Sequence, residues 1–226
     1  MQLTQDNLDF LKKLAKNNNR DWFNKHKDTY VEKHEQVIAF ADAVLMELSK
    51  HDQIETASGK KSLHRIYRDT RFSKDKTPYK TSWSAGFKRA TKLLRGGYFF
   101  KIEADRAFLA GGFWGPNSDD LKRIRESIDQ DSEALKKAIN SKAFKDYFGE
   151  LKGEGVKTAP KGYPKDHPEI ELLRKKQFLV VKEFSREEML SKDFYKEINK
   201  GFKKMRPFFD AMSDILTTDA NGELIV

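Results

Sequence analysis

The octapeptide Thr81-Ser82-Trp83-Ser84-Ala85-Gly86-Phe87-Lys88 alternates larger side chains, at Trp83, Ala85 and Phe87, with small or polar ones. Such a period of two residues is typical of a β-strand with one covered face, because successive side chains point to opposite sides of a sheet. Two further runs, 98–103 and 107–114, are joined by Ala104-Asp105-Arg106, which predicts a hairpin. The sequence therefore places three consecutive strands in the middle of the chain.

Amphipathic helical patterns flank these strands on both sides, because apolar residues recur there at intervals of three and four. Strands that follow one another without a helix between each pair favour an α+β fold over a doubly wound sheet. We predict a mixed or antiparallel central sheet with N-terminal and C-terminal helices packed on it. No repeat or linker divides the sequence, so we predict a single α+β domain over residues 1–226. Its segments are helical 1–56, a basic loop and strands 60–115, helical 118–176, a strand 177–184 and helical 186–216.

Several local patterns make narrower predictions. The Gly111-Gly112 pair indicates a bulge or a close backbone approach in the third strand, which has apolar residues on both faces and is therefore expected to be central. Ser118 is a predicted N-cap, since its hydroxyl can accept a bond from a free amide of the first helical turn. Asp166 and Ser185 each stand three residues before a Glu, which predicts two capping boxes at helix starts.

Positive charge is concentrated in one part of the chain. Residues 60–101 contain thirteen Lys or Arg but only Asp69 and Asp75 as carboxylates, a net charge of +11, whereas the whole chain carries +9. The remaining residues are therefore slightly acidic. A concentrated positive field attracts phosphates, polyanions or acidic partners.

Composition excludes several classes of function. Cysteine is absent, which removes disulfides, thiolate catalysis and Cys-type zinc sites. The histidines show no metal-ligand spacing, so we predict neither a metal site nor a cofactor. The N-terminus lacks a basic region followed by an apolar run, and no stretch approaches the roughly 20 apolar residues that span a bilayer. We expect a cytoplasmic protein with no membrane partner.

One run within the basic segment stands out, Arg65-Ile66-Tyr67-Arg68-Asp69-Thr70-Arg71-Phe72-Ser73-Lys74-Asp75-Lys76-Thr77-Pro78-Tyr79-Lys80. It occurs with Asn18-Asn19-Arg20-Asp21-Trp22-Phe23 before it, and with Gly111-Gly112-Phe113-Trp114-Gly115-Pro116 and Pro160-Lys161-Gly162-Tyr163-Pro164 after it. Together these elements resemble a large uncharacterised family found mostly in bacteria, domain-of-unknown-function family 2461, up to about Phe184. The resemblance implies a single α+β domain and brings no assigned activity or catalytic residues.

The run 65–80 collects six cations and two carboxylates in sixteen positions. Like charges that lie 6 Å apart repel by roughly 1–3 kcal/mol at effective dielectrics between those of a protein surface and of water. A fold that collects them needs counter-charges or an anionic ligand, so we predict a basic cleft that binds a phosphorylated or carboxylated small molecule. The predicted ligand-binding residues are Arg65, Arg68, Arg71, Lys74, Lys76, Lys80, Asp69, Asp75 and Trp114.

The roles of these residues are expected to differ. Arg68, Arg71 and Lys76 are predicted to bind the anion. Neighbouring carboxylates are expected to orient these three cations. Trp114 is either a stacking surface or a ring packed against the next helix. The sequence leaves an enzymatic activity open, with three candidates for moving a proton. These candidates are His167, Tyr79 and Asp69.

Two other classes of function stay open. A nucleic-acid-binding protein would place Lys60, Lys61, Lys88, Arg89, Lys92 and Arg95 on phosphates. A structural or interaction module would use run 65–80 as an internal salt-bridge network, including Arg68 with Asp69, above buried Phe72 and Tyr79 side chains. The oligomeric state does not follow from the sequence.

Overall fold

The computed structural model describes residues 2–219 and 221–226. Within those residues the chain forms ten helices and four strands. The helices are α1 Gln5–Lys16, α2 Arg20–Lys25, α3 Lys27–Leu48, α4 Gly59–Ser62, α5 Ser118–Gln130, α6 Glu133–Asn140, α7 Lys142–Phe148, α8 Ile170–Leu173, α9 Arg186–Met189 and α10 Phe194–Thr217. The strands are β1 Trp83–Lys88, β2 Gly97–Ile102, β3 Arg106–Phe113 and β4 Phe178–Ser185.

The four strands form one antiparallel sheet in the order β1-β2-β3-β4. The predicted α+β fold is therefore confirmed, and the sheet is antiparallel rather than mixed. The hairpin of β2 and β3 lies where the sequence predicts it, and β3 is an interior strand as expected. Contacts group the chain into two compact units, neither of them a continuous segment. The division of the chain into domains stays a prediction.

Unit 1 comprises the described residues up to Phe87 together with Phe99–Leu109 and Glu183–Lys200. Its core is aromatic: the Phe40 ring of α3 meets Phe100 of β2 edge-on at 5.7 Å, and Phe10 of α1 lies 6.2 Å from Trp83 of β1. All four rings are buried. Burial of one such side chain contributes about 1.5–3 kcal/mol, so these contacts fix which face of the sheet the helices cover.

Unit 2 comprises Lys88–Tyr98, Ala110–Lys182 and the chain from Gly201 onward. Its core lies along the second half of α10. Tyr98 of β2 packs between Phe202 and Phe209, with ring centroids 4.9 and 5.0 Å away, and Phe113 of β3 meets Phe208 edge-on at 5.9 Å. Helix α10 thus covers Tyr98 of β2 and Phe113 of β3 within this unit.

The N-terminal helices follow the sequence closely. The helical pattern is interrupted at Asn17-Asn18-Asn19, because α1 ends at Lys16 and the Asn19 side chain caps α2 by accepting from the Trp22 amide at 2.9 Å. The helical prediction for 1–56 is too long, however, since α3 ends at Leu48. The capping box at Ser185 and Glu188 is confirmed at the start of α9.

Two predicted N-terminal caps are wrong. The N-cap of α5 is Asn117 rather than Ser118, and its side-chain oxygen accepts from the Asp120 amide at 2.8 Å. Asp166 starts no helix, because α8 begins only at Ile170 and its N-cap makes no side-chain hydrogen bond. The helical prediction for 118–176 was too broad for the same reason, since residues 149–169 are turns and irregular chain.

The backbones of β3 and β4 approach closely at Gly112. Gly112 has a φ of +130°, and a Cβ atom placed on it would lie 2.1 Å from the carbonyl oxygen of Phe178. Only glycine fits such a position without strain. The close approach predicted for the Gly111-Gly112 pair is therefore confirmed.

We expect Gly112→Ala to lower the free energy of unfolding by about 2–5 kcal/mol, because it adds both backbone strain and a clash with Phe178. The matched control is Gly115→Ala, where a Cβ atom has no neighbour within 4 Å. Urea denaturation of both variants measures the difference. Equal stability of the two variants would contradict this account of the close approach between β3 and β4.

A buried ion pair ties the loop after β1 to α10 within unit 2. The Arg89 side chain is fully buried, and its Nη2 donates to Asp210 Oδ1 at 2.5 Å while Nη1 donates to the Arg95 carbonyl at 3.0 Å. Its Cζ lies 5.7 Å from the Phe209 ring centroid. A buried guanidinium is tolerated only when paired and hydrogen-bonded.

Asp210→Ala should therefore destabilise the protein by about 3 kcal/mol, because it leaves the buried guanidinium without its carboxylate. Arg206→Ala is the control: it removes the more exposed partner of the same carboxylate, 3.5 Å away, and should cost about 1 kcal/mol or less. Urea unfolding of the two variants separates the effects. An equal loss in both would mean that the Arg89–Asp210 pair is not structurally important.

Candidate anion-binding site

The predicted cationic run forms a narrow antiparallel loop in unit 1. Its base is closed by backbone bonds from the Arg68 amide to the Pro78 carbonyl, at 2.9 Å, and from the Lys80 amide to the Ile66 carbonyl, at 2.7 Å. The Asn18 side-chain amide then pairs with both backbone groups of Tyr79, accepting at 3.1 Å and donating at 2.9 Å. These bonds fix the backbone position of Lys80.

At the tip of this loop two arginines pair with carboxylates of the same loop. Arg68 pairs with Asp75 at 2.5 Å and also donates to the Thr77 carbonyl at 3.1 Å. Arg71 forms a two-point pair with Asp69, with distances of 3.0 and 2.6 Å. The predicted pairing of Arg68 with Asp69 is therefore wrong, because the loop folds back and brings Asp75 to Arg68.

Both carboxylates are held in their ionised form. Hydrogen bonds from Arg71, first from its side chain and then from its backbone, lower the pKa of Asp69. The pKa of Asp75 is lowered first by the backbone amide of Thr77, then by the Thr77 hydroxyl and by Arg68. These two groups therefore act as fixed negative charges near neutral pH.

The two aromatic side chains of the loop have opposite environments. Tyr79 is buried as predicted, with its ring stacked on Phe23 at 4.0 Å. Phe72 is 94% exposed, so its predicted burial is wrong. The ring lies against the neighbouring Arg71 guanidinium, whose Cζ is 5.8 Å from the ring centroid. The turn from Thr70 to Ser73 carries the Phe72 side chain away from the core.

An open pocket of about 420 Å³ lies beside the base of the loop, entirely within unit 1. Its volume is in the range of small-molecule sites. Three of its lining side chains are cationic, and most of the others are polar. The lining residues are Ala15, Asn18, Arg68, Asp75, Thr77, Tyr79, Lys80, Thr81, Ser82 and Lys101.

The six predicted cations do not all meet at this pocket. Arg68 and Lys80 line it, and Arg65 is close enough to Lys80 to affect its charge. Arg71 is largely exposed on the loop, and the exposed Lys76 donates to the Thr70 carbonyl at 2.8 Å. These two, with the exposed Lys74, do not line the pocket.

Lys101 is a pocket residue that sequence reasoning did not assign to the site. It lies on β2, where Phe100 and Ile102 point to the covered face, so the period of two places Lys101 on the opposite face. That alternation was the signal available in the sequence. What the sequence could not show is that β2 brings Lys101 beside Lys80.

The charge on Lys80 is not neutralised by the protein. Burial, and then the positive charges of Arg65 and Lys101, lower its pKa. Lys101 pairs with Glu103 at 2.6 Å and Arg68 pairs with Asp75, whereas Lys80 and Arg65 have no ion pair with any described residue. The pocket therefore carries an excess of positive charge centred on Lys80.

The candidates for proton transfer lie in structured environments. Burial, followed by the nearby Tyr67, raises the pKa of Tyr79, so its phenol keeps its proton near neutral pH. His167 is in unit 2, where its Nε2 lies 3.0 Å from Asp129 Oδ1 and its Nδ1 accepts from the Glu169 amide at 3.0 Å. His167 precedes α8, which begins only at Ile170.

Trp114, also in unit 2, is 70% exposed at the end of β3. That exposure contradicts the alternative in which its ring packs against the next helix. Its role as a stacking surface stays a prediction.

The cations assigned to nucleic-acid phosphates differ sharply in exposure. Arg89 is buried in its pair with Asp210, and Arg95 pairs with Asp120 at 2.6 Å. Arg89 is therefore unavailable to a phosphate backbone, because the helix α10 supplies its counter-charge. The other members of the set are exposed: Lys60, Lys61, Lys88 and Lys92.

Unit 2 contains another open cavity of about 460 Å³, and its lining is acidic. Carboxylates of Glu126, Asp131, Asp214 and Asp219 outnumber Arg123 there. Burial and the nearby Asp210 raise the pKa of Asp214. An anionic ligand does not fit this lining.

No group of three or more His, Asp or Glu side chains in residues 2–219 and 221–226 is arranged to hold a metal ion. In the same part of the chain no helix combines the length and apolar character that crossing a bilayer requires.

The fold defines an α+β protein built on a four-stranded antiparallel sheet. The family model of conserved hypothetical proteins termed DUF2461 matches residues 6–210 of the 226-residue chain. The chain belongs to this family, and the resemblance noted in its sequence is confirmed. No curated protein and no solved structure matches the chain.

The environment of Lys80 should make the stability of the protein depend on pH. Because its pKa is lowered in the folded protein, the charged ammonium group destabilises the fold, and this penalty disappears as the pH rises through the lowered pKa toward the usual value of 10.5. Lys80→Met should therefore be at least as stable as the original protein at neutral pH in phosphate-free, low-salt buffer.

The advantage of Lys80→Met should shrink as the pH approaches 10.5, which urea unfolding across that range measures. Lys12→Met, at an exposed position of α1, is the control and should show no such trend. A Lys80→Met variant that is clearly destabilised at neutral pH would contradict the repulsive environment.

Proposed function

We propose that the protein binds a small molecule through a phosphate or carboxylate group in the pocket lined by Lys80, Lys101 and Arg68. The observation that carries this proposal is the ammonium group of Lys80, which faces the positive charges of Arg65 and Lys101 without an ion pair among the described residues. An anion placed there would relieve the repulsion and would gain the attraction of several cations at once.

The shape and the polar lining of the pocket support a small ligand. The pocket is open and of ligand size, and the side chains of Thr77, Thr81 and Ser82 add hydroxyl groups beside the cations. Arg68 is held by its bonds to Asp75 and Thr77, so little side-chain entropy is lost when an anion arrives. In this proposal Asp75 is a positioning residue.

The side chains that line the pocket support binding of an anion more directly than catalysis. Tyr79 lines the pocket but keeps its proton near neutral pH, and Asp75 is already engaged by Arg68 and Thr77. Neither group is a free general base at the pocket. The proposed activity is therefore recognition of the anionic group.

Titration of inorganic phosphate and of citrate, followed by calorimetry and by thermal unfolding, tests the proposal. Both anions should raise the melting temperature, because a ligand that binds only the folded state stabilises it by mass action. Lys80→Gln should weaken phosphate binding about ten-fold or more, since a hydrogen bond to a charged group contributes about 1.5–3 kcal/mol.

Lys12→Gln is the matched control, because Lys12 is an exposed lysine of the same unit that does not line the pocket. It should bind phosphate as the original protein does. Equal weakening in both variants would indicate nonspecific attraction to a basic protein, and the absence of any stabilisation by either anion would refute the proposal. A purely structural role of the loop predicts instead that Arg68→Ala loses stability while no anion binds.

A further inference from the structure

The face of the sheet opposite to the helices carries a row of aromatic rings. Tyr98, Phe100 and Ile102 of β2 are buried against the helical side, so Phe99 and Lys101 point the other way and are partly exposed. Phe108 of β3 is partly exposed next to Phe99, with ring centroids 5.9 Å apart and an interplanar angle of 39°.

The row extends to β1. The imidazole of His64 lies 5.9 Å from the Phe99 centroid at an angle of 31°, and its Nδ1 is 3.0 Å from the hydroxyl oxygen of Ser84. Burial, and then the charge of Lys80, lower the pKa of His64, so its ring is uncharged near neutral pH. Three flat side chains from neighbouring parts of the sheet thus lie side by side: His64, Phe99 and Phe108.

Lys101 joins this row to the anion pocket. Its Nζ lies 6.0 Å from the Phe108 centroid, and the same side chain lines the pocket beside Lys80. Phe99 is two positions away on the same face of β2, roughly 7 Å along the strand. A ligand with its anionic group at Lys80 and Lys101 therefore has the aromatic row within reach of its other end.

We propose, building on the proposed function, that the ligand is a nucleotide whose phosphate binds at Lys80 and Lys101 and whose base lies against Phe99 and Phe108. A flat heterocycle matches partly exposed rings that offer a face for stacking, and every base has such a face. The assignment concerns residues of unit 1 only.

The charges around the rings favour a base over an apolar chain. Arg106, two positions from Phe108 on the same face, lies 3.6 Å from the Glu183 carboxylate of β4. A lipid tail would need an extended apolar surface, whereas here ionised groups border the rings on two sides. A sugar phosphate without a base would leave both phenylalanine rings in water.

Isothermal titration calorimetry with adenosine 5′-monophosphate, ribose 5-phosphate and inorganic phosphate tests the inference. The nucleotide should bind at least about ten-fold more tightly than ribose 5-phosphate, in line with the usual strength of base stacking on an aromatic side chain. Phe99→Leu, which keeps an apolar side chain but removes the ring, should abolish most of that difference. Phe99→Trp should retain it.

The controls separate this inference from the proposed function. If ribose 5-phosphate and phosphate bind but the nucleotide binds no more tightly, or if Phe99→Leu weakens all three equally, the base site is refuted while anion binding stands. If none of the three binds, the proposed function itself fails. Preserved thermal unfolding of Phe99→Leu without ligand would show that a loss of affinity is not a loss of fold. An oligoadenylate that binds far more tightly than the mononucleotide would overturn the choice of a small ligand.

Discussion

The rest of the structure depends on the alternation of buried and partly exposed side chains along β2. Tyr98, Phe100 and Ile102 are buried against the helices, and each aromatic ring buried in this way contributes about 1.5–3 kcal/mol. Because side chains alternate along a strand, a shift of one residue would bury Phe99 and Lys101 and expose the core rings. The same burial that packs the helices therefore places Lys101 beside the basic loop and leaves Phe99 partly exposed on the other face of β2.

The arginine side chains at the tip of the loop are paired, whereas Lys80 at its base is not. Its tip pairs are local, between Arg68 and Asp75 and between Arg71 and Asp69, and their carboxylates are largely exposed. Exposed pairs contribute about 1 kcal/mol or less, so they set the conformation of the loop more than its stability. At the base the situation is reversed, because backbone bonds fix Lys80 at a place where burial and the positive charges of Arg65 and Lys101 disfavour its ammonium group. The backbone bonds therefore hold Lys80 in a position that its own positive charge disfavours.

The elements could be predicted where the signal is local. The alternation around Trp83, the close approach at Gly112 and the capping box at Ser185 all depend on a few neighbouring residues, and each is found in the structure. The failures share another cause. The exposure of Phe72 depends on how the loop turns, the partner of Arg68 depends on how it folds back, and the position of Lys101 depends on the pairing of β2. None of these follows from spacing along the chain.

The net charge of a sequence segment is not the charge that is available to a ligand, because carboxylates from elsewhere in the chain pair with some of its cations. Three of the carboxylates that pair with cations of the basic segment lie outside it in sequence: Glu103, Asp120 and Asp210. Asp210 is supplied by α10, more than a hundred positions after Arg89, and it converts a predicted phosphate contact into a buried structural pair. A local net charge of +11 therefore overstates the positive charge that is available. An anionic ligand is favoured where the fold fixes a cation in position without pairing it to a carboxylate. Lys80 meets that condition, because its backbone is held by hydrogen bonds while the charges of Arg65 and Lys101 act against its own.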